Sequence, residues 1–432
     1  MGNSASSQLK NVARGTSSKA SIQSASATPT PQPIATSYTP VQVPLDEEGY
    51  VRSFSLDDDD PQALLDFFQE FGFVVVDNVL DPEDCDRTID EIWQLVSNSF
   101  PGLEREDPHS WERLGKGGAG IVGMDIVDGV MAWTNRQNAN LYKAFSLVLG
   151  TKKLMVSMDR YGMMRPTKNI PFPSRQEEEE EGTKEKGIKK EEETEEADKE
   201  GGIRREDRPE WKTRSAWVHW DLNPWGWFHV GEIEEKEKEA ENRKKAKETL
   251  ERWKLPHTAA YEFITENNEN NEFKGYEKVQ GLIALADSKV EDGGFLTVPG
   301  FHKFTKEWAE KHPKTSSKGF IMAPSDDPLI QHVFKVSMRR GSLVVWSSAM
   351  PHCNYPNDSD KFRFCQYLKM FPADVMPHPE SELGKARAEA VRLRLPTEFV
   401  PSPLGRKMLG LEPWSDDEDD DKIEKETKEL HV

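Results

Sequence analysis

The sequence predicts a mainly β fold with flanking helices, a sandwich or jelly roll, on three observations. From Val279 onward, short apolar runs are separated by Gly, Pro, Asn and Asp turns: Val279–Ala286, Gly294–Val298, Leu343–Trp346 and Phe362–Met370. Such spacing suits packed antiparallel sheets rather than long helices. Helical periodicity is clearest near the start of the ordered sequence. Finally, the chain has 432 residues but spends many of them in charge runs, so one large core is expected rather than two.

Taken in order, residues 1–55 are rich in Ser, Thr, Ala, Pro and Gln and have no acidic residue before Asp46, a composition expected to remain disordered. Near Pro61, Leu64, Leu65, Phe67, Phe68 and Phe71 recur at helical spacing, and Gly72 is placed to cap the helix end. The β-branched run Phe73-Val74-Val75-Val76 follows as a strand. Asp81-Pro82-Glu83-Asp84 then has the chemistry of a helix start, with Cys85, Ile89, Ile92, Trp93 and Val96 expected to face inward. Leu154–Met158 reads as a strand. The charged residues 176–208 are expected to be a solvated insertion, and 233–253, with charges alternating at i, i+4, an exposed helical insertion. Both interrupt a domain expected to span 56–411, and 412–432 forms an acidic tail.

The formal net charge of −20 repels nucleic-acid phosphates, and no basic stripe with interleaved aromatics offsets it, so no nucleic-acid partner is expected. Cys85, Cys353 and Cys365 include no CxxC pair, which suits a reducing compartment and a cytoplasmic protein. No apolar run is long enough to span a bilayer. Met1-Gly2-Asn3-Ser4-Ala5-Ser6 fits the N-myristoylation pattern, so reversible membrane anchoring through Gly2 is an expectation, against the alternatives of a merely unstructured terminus or a transit peptide. A monomer is expected.

His219-Trp220-Asp221 is an HxD triplet at the end of an apolar run, and by itself this means little in a chain with 10 His. A second His gives it weight. Gly341-Ser342-Leu343-Val344-Val345-Trp346 reads as a buried strand leading to His352, and the turn Asn354–Asp358 returns the chain into Phe362–Met370. Alternation puts Arg363, Cys365 and Tyr367 on one face and Phe362, Phe364, Gln366 and Leu368 on the other, with the Arg363 strand expected to form a hairpin with the one that delivers His352. Two imidazoles and a carboxylate on one face of an octahedral metal leave three positions open, as in non-heme Fe(II) oxygenases. A 2-oxo acid fills two of them and O2 the third. An inward Arg suits the far carboxylate of 2-oxoglutarate, because its planar fork pairs with both oxygens.

His219-x-Asp221, His352 and Arg363, together with Asp292-Gly293-Gly294-Phe295-Leu296-Thr297-Val298-Pro299-Gly300-Phe301-His302-Lys303, resemble the motifs of the phytanoyl-CoA dioxygenase family. The entry segment from Phe67 to Cys85 shares the likeness, which covers about residues 62–372; Phe301 stands where the family usually has Ser. The resemblance implies a double-stranded β-helix of cupin-like jelly-roll type and Fe(II)- and 2-oxoglutarate-dependent hydroxylation of a small organic or lipid-like substrate by O2. It makes His219, Asp221 and His352 the metal ligands and catalytic residues, and Arg363 the co-substrate anchor. No acyl-CoA-recognising motif is visible. The contrasting reading is a catalytically silent jelly roll acting as a membrane-tethered binding or scaffold protein.

Three other features are read as structural. His302 is expected to bond backbone, and Cys353 to be a packed thiol. Gly115–Gly120 matches GxGxxG but follows no apolar strand, and is expected to be a loop. The aromatic stretch Trp225–Phe228, followed by His229, is expected to cover the site, with a substrate-contacting lid as the sharper alternative.

Overall fold

The fold is seen in a computed structural model that describes residues 35–115, 118–122, 128–173, 203–215, 217–228, 230, 278–315, 320–375 and 378–415. Gly2, the helix expected over 233–253, His229 and most of the 176–208 insertion lie outside the described residues, as does the acidic tail from 416 on.

The N-terminal part follows its local chemistry. Helix α1 (Pro61–Phe71) starts at Asp60, whose side chain accepts from the Gln62 N–H, and ends at Gly72 with φ +77°. Leu64, Phe67, Phe68 and Phe71 form its buried face, each side chain contributing roughly 1.5–3 kcal/mol. A side chain at Gly72 would run into His302 and Met350, so the turn needs glycine for space as well as backbone freedom. Helix α2 (Pro82–Ser99) begins where Asp81 accepts from the Asp84 N–H, and Cys85, Ile89, Ile92, Trp93 and Val96 are buried. Helices α3 (Val130–Arg136) and α4 (Ala139–Leu149) follow.

Ordered chain begins earlier than the composition suggests. Val43, Tyr50, Val51 and Phe54 are buried, and β1 (Ser53–Phe54) pairs in parallel with β2 (Phe73–Val76), so these residues are packed where disorder was expected through residue 55. A few apolar side chains in a polar stretch suffice once a sheet edge is there to receive them. Further strands are β3 (Leu154–Val156), β4 (Tyr161–Met164), β5 (Ile170–Pro173), β6 (Ile203–Glu206) and β7 (His219–Trp220). Because β6 pairs with β5, the end of the expected 176–208 insertion belongs to a hairpin.

After the short helix α5 (Pro224–Trp227) come β8 (Val279–Ala284), β9 (Gly294–Thr297), β10 (Ile321–Met322), β11 (Phe334–Lys335), β12 (Leu343–Ser347), β13 (His352–Tyr355), β14 (Arg363–Leu368) and β15 (Met370–Pro372). One sheet has the order β1-β2-β12-β8-β14-β4 and a second β10-β7-β13-β9-β11; β15 pairs with β3 alone. Both larger sheets are mostly antiparallel, and polar side chains from the two meet between them. On β14 the alternation is as expected: Gln366 faces the helices, where its amide donates to the Ala132 carbonyl, while Arg363 donates to the Cys365 sulfur on the opposite face.

The pairing expected for the Arg363 strand is wrong. β12, the strand that leads to His352, and β14 lie in the six-stranded sheet with β8 between them, and β13, which carries His352, lies between β7 and β9 in the five-stranded one. The connecting turn, Asn357 included, is long enough to carry the chain across from one sheet to the other. Arg363 therefore reaches the interior from the sheet opposite His352.

Candidate metal centre

β7 and β13 are neighbours, with His219 and His352 directly paired, which places two imidazoles side by side on the inner face of the smaller sheet. Their rings are 4.6 Å apart, and Asp221 follows just beyond the end of β7. One ligand atom from each of His219, Asp221 and His352 lies within 4.8 Å of the others, the only such group among the described residues. The Nδ1–H of His219 donates to the Trp217 carbonyl at 3.0 Å, and that of His352 to the Met350 carbonyl at 3.0 Å. Each ring thus turns Nε2 inward: 3.4 Å from Asp221 Oδ1 for His219, and 3.8 Å from Oδ2 for His352. Fixing the distal nitrogen through a backbone acceptor is how metal-ligating histidines are oriented.

Burial, helped by the neighbouring His219, pushes His352 down to about 4, leaving it neutral and able to ligate at ordinary pH. Burial opposes charge on Asp221, yet the hydrogen bond with His219 and the Lys369 ammonium outweigh it and hold the carboxyl well below the usual range. The site therefore presents two imidazoles, that of His352 neutral, and one anion, a set suited to a divalent transition metal.

Arg363 is 2% exposed and its Nε has no hydrogen-bond partner, a costly state for a buried donor. Glycines make the room for it. A side chain at Gly294, where φ is +105°, would meet Arg363 Nε at 2.8 Å, and one at Gly162 would meet its Nη1 at 3.1 Å. Between this arginine and the triad stands Tyr367, whose hydroxyl exchanges hydrogen bonds with the Asn354 side chain across the interior. A guanidinium with an unsatisfied Nε beside two glycines is fitted to a carboxylate. Gly294→Ala is expected to push Arg363 aside, lowering 2-oxoglutarate affinity on the order of tenfold without loss of iron; an unchanged titration curve would mean the cradle is not used.

Three polar side chains at this site were not singled out from sequence. Gln280 donates from Nε2 to Asp221 Oδ2 at 2.7 Å, Lys369 Nζ lies 3.8 Å from the same oxygen, and Lys278 Nζ lies 5.4 Å from the centroid of the Trp227 ring. Their signal was alternation: Lys369 continues the Arg363, Cys365, Tyr367 series, and Lys278 and Gln280 alternate on β8 and its approach. Gln280→Leu should free one Asp221 oxygen and weaken metal binding roughly 10- to 100-fold. Competition with a coloured Fe(II) chelator measures this, and an unaltered affinity would remove Gln280 from the site's support.

The remaining expectations resolve locally. His302 donates from Nε2 to the Gln69 carbonyl at 3.1 Å, so it ties the Pro299–Lys303 turn to α1. The three cysteines are free and buried, and burial raises Cys353 to about 12. Trp225 is packed, its indole donating to Ala309 and His312 carbonyls, whereas Trp227 is half-buried over Lys278. Of this stretch, Trp227 is the residue placed beside a lysine of the site, while Trp225 packs against Trp308. Among the described residues no helix is long and apolar enough to cross a membrane.

Comparison with known proteins agrees with this geometry. Residues 256–365, which include His352 and Arg363, match the phytanoyl-CoA dioxygenase (PhyH) family profile. A Dictyostelium discoideum protein that carries the provisional name phytanoyl-CoA dioxygenase is 28% identical over 398 residues, covering 86% of this chain and 97% of its own. Among solved structures, the Candida albicans GlcNAc-inducible protein GIG2 is 12% identical with a TM-score of 0.45, covering 88% of this chain and 84% of that one. The epimerase SnoN, solved with Fe3+, alpha-ketoglutarate and nogalamycin RO, is 13% identical with a TM-score of 0.39, covering 72% and 84%. The chain is thus similar to the phytanoyl-CoA dioxygenase family over residues 256–365, and to a relative with that provisional name over most of its length.

Proposed function

We propose that the protein is an Fe(II)- and 2-oxoglutarate-dependent oxygenase acting on a small organic substrate, with hydroxylation as its reaction. The observation that carries this reading is the convergence of His219, Asp221 and His352, both imidazoles held by backbone carbonyls so that Nε2 points to one place. The catalytic domain is taken to be the body already expected over 56–411, enlarged by the packed residues before it. We read the orders β12-β8-β14-β4 and β7-β13-β9-β11 as the two sheets of a double-stranded β-helix.

His219, Asp221 and His352 would hold iron, and Arg363 would pair with the distal carboxylate of 2-oxoglutarate. When bound, the iron and co-substrate supply the oxidising chemistry, converting 2-oxoglutarate and O2 to succinate and CO2 as the substrate is oxidised. The chain's own part is positional. Gln280 holds Asp221, the Trp217 and Met350 carbonyls hold the imidazoles, and Phe295 and Trp346 wall the site beside His352 and exclude water. Anaerobic addition of Fe(II) and then 2-oxoglutarate to the full chain should produce the visible charge-transfer band of the chelate, and admission of air should yield succinate. Absence of both from protein that retains its fold would overturn the assignment.

A further inference from the structure

Three polar side chains on the inner face of the larger sheet stand beside the triad, each with an atom left unused. Gln280 of β8 and Trp346 of β12 are directly paired, so their side chains leave the same face, with Cβ atoms about 5 Å apart. Ser348 lies two residues beyond Trp346. Its N–H donates to the Lys278 carbonyl, so the pairing with β8 continues and its side chain shares that face. Gln280, Trp346 and Ser348 are 2%, 3% and 0% exposed. Gln280 Oε1, Trp346 Nε1 and Ser348 Oγ are buried and have no hydrogen-bond partner among the described residues. A buried polar atom without a partner is costly, so three on one face point to a ligand that completes them.

Chemistry fixes how each atom can serve. The Asp221 carboxylate only accepts, so the Gln280 amide must turn Nε2 to it, at 2.7 Å, and keeps its acceptor oxygen for the seat. The Trp346 indole only donates, and its ring lies 5.4 Å from that of His352 and 4.4 Å from that of Phe295. The Ser348 hydroxyl can donate as well. The set therefore offers one acceptor and two donors. A hydroxyl group, with one donor and two acceptor lone pairs, is its complement. A carboxylate would set its oxygens against Gln280 Oε1, and an ammonium its hydrogens against the indole N–H. An ordered water is the competing occupant.

We propose that Gln280, Trp346 and Ser348 seat a hydroxyl group of the organic substrate, which is thus an alcohol or polyol. This deepens the oxygenase reading and rests on it. One Gln280 amide serves both Asp221 and the seat, so the carbon that bears the hydroxyl lies beside the triad, and the seat selects which position of the substrate meets the metal. Recognition at this seat uses no charge. An alcohol should therefore be preferred to the acid or the amine of the same length.

The test uses the full chain, isotope-labelled at its tryptophans and loaded with Zn(II) and 2-oxoglutarate, and follows the indole N–H signals by NMR. Trp346→Phe identifies the Trp346 signal by removing it. The probes are n-butanol, butyrate and butylammonium. Only n-butanol should move the Trp346 signal saturably, as its N–H gains an acceptor. Ser348→Ala should weaken n-butanol roughly 3- to 10-fold, the loss of one neutral hydrogen bond. Trp346→Phe, read by saturation transfer to the n-butanol protons, should do the same, and it carries the comparison alone if Ser348→Ala does not keep the wild-type circular dichroism. The proposal fails if n-butanol gives no saturable shift, which would leave the three atoms to an ordered water only. It fails equally if butyrate or butylammonium moves the signal as strongly, or if the variants bind n-butanol as wild type does. Failure of the oxygenase reading would show separately, as wild type without the iron and 2-oxoglutarate band.

Discussion

Asp221→Ala is expected to abolish Fe(II) binding at stoichiometric concentrations and with it all 2-oxoglutarate turnover. The carboxylate is the one anionic member of the triad, and a site left with two imidazoles loses the charge that offsets the metal's own. Its neighbours sharpen the effect. Lys369 lies 3.8 Å from Asp221, so truncation leaves a cation beside the position the metal must take. The loss should exceed the roughly 10- to 100-fold that removal of a supporting hydrogen bond costs, and so exceed that of Gln280→Leu. Asp221→Asn keeps the shape and the Gln280 contact but not the charge, and should fail nearly as completely. Iron content after anaerobic reconstitution and gel filtration decides the matter: a full equivalent of iron in either variant would show that the triad is not the metal site.

Arg363→Ala is expected to separate the two binding events, keeping iron and losing 2-oxoglutarate. Removing the guanidinium leaves a carboxylate poorly paired in a buried cradle, a loss on the order of 2–5 kcal/mol, or roughly 30- to several-thousand-fold in affinity. Arg363→Lys should fall between, since a lysine keeps the charge but not the planar fork that fits between Gly162 and Gly294. The 2-oxoglutarate concentration that half-saturates the charge-transfer band measures each variant. His302→Ala is the control: its ring bonds Gln69 beneath the Gly72 turn, so both iron and 2-oxoglutarate binding should persist. A wild-type titration in Arg363→Ala would place the distal carboxylate elsewhere.

Much of this site was legible because its chemistry is rare and local. An HxD triplet at a strand end, a His after a buried strand and an inward Arg need only alternation and residue type to be noticed. The end of α1 and the start of α2 were legible for the same reason: Gly72 adopts a conformation that other residues resist, and Asp81 accepts from the N–H three residues on. Less legible were α3, too short to show a clear period, and α4, whose buried Ala139, Leu141, Tyr142, Ala144, Phe145 and Leu149 spread around the helix instead of marking one face. β6 was hidden in a charged stretch because its pairing with β5 uses backbone groups and leaves its side chains mostly exposed.

By itself the sequence determined which residues could hold a metal and a dicarboxylic acid, and which segments had the period of helices and strands, because these depend on side-chain chemistry and neighbours within a few positions. Only the tertiary structure decided which strands meet. It put β8 between β12 and β14, where proximity in sequence suggested a hairpin, and set β13 in the other sheet, so Arg363 approaches His352 from across the interior. It also brought Gln280 and Lys369 to Asp221, although they lie 59 and 148 residues away along the chain. Strand partners so distant are chosen by the collective burial of two sheet faces and the satisfaction of every inward polar group, a condition no local window of sequence contains.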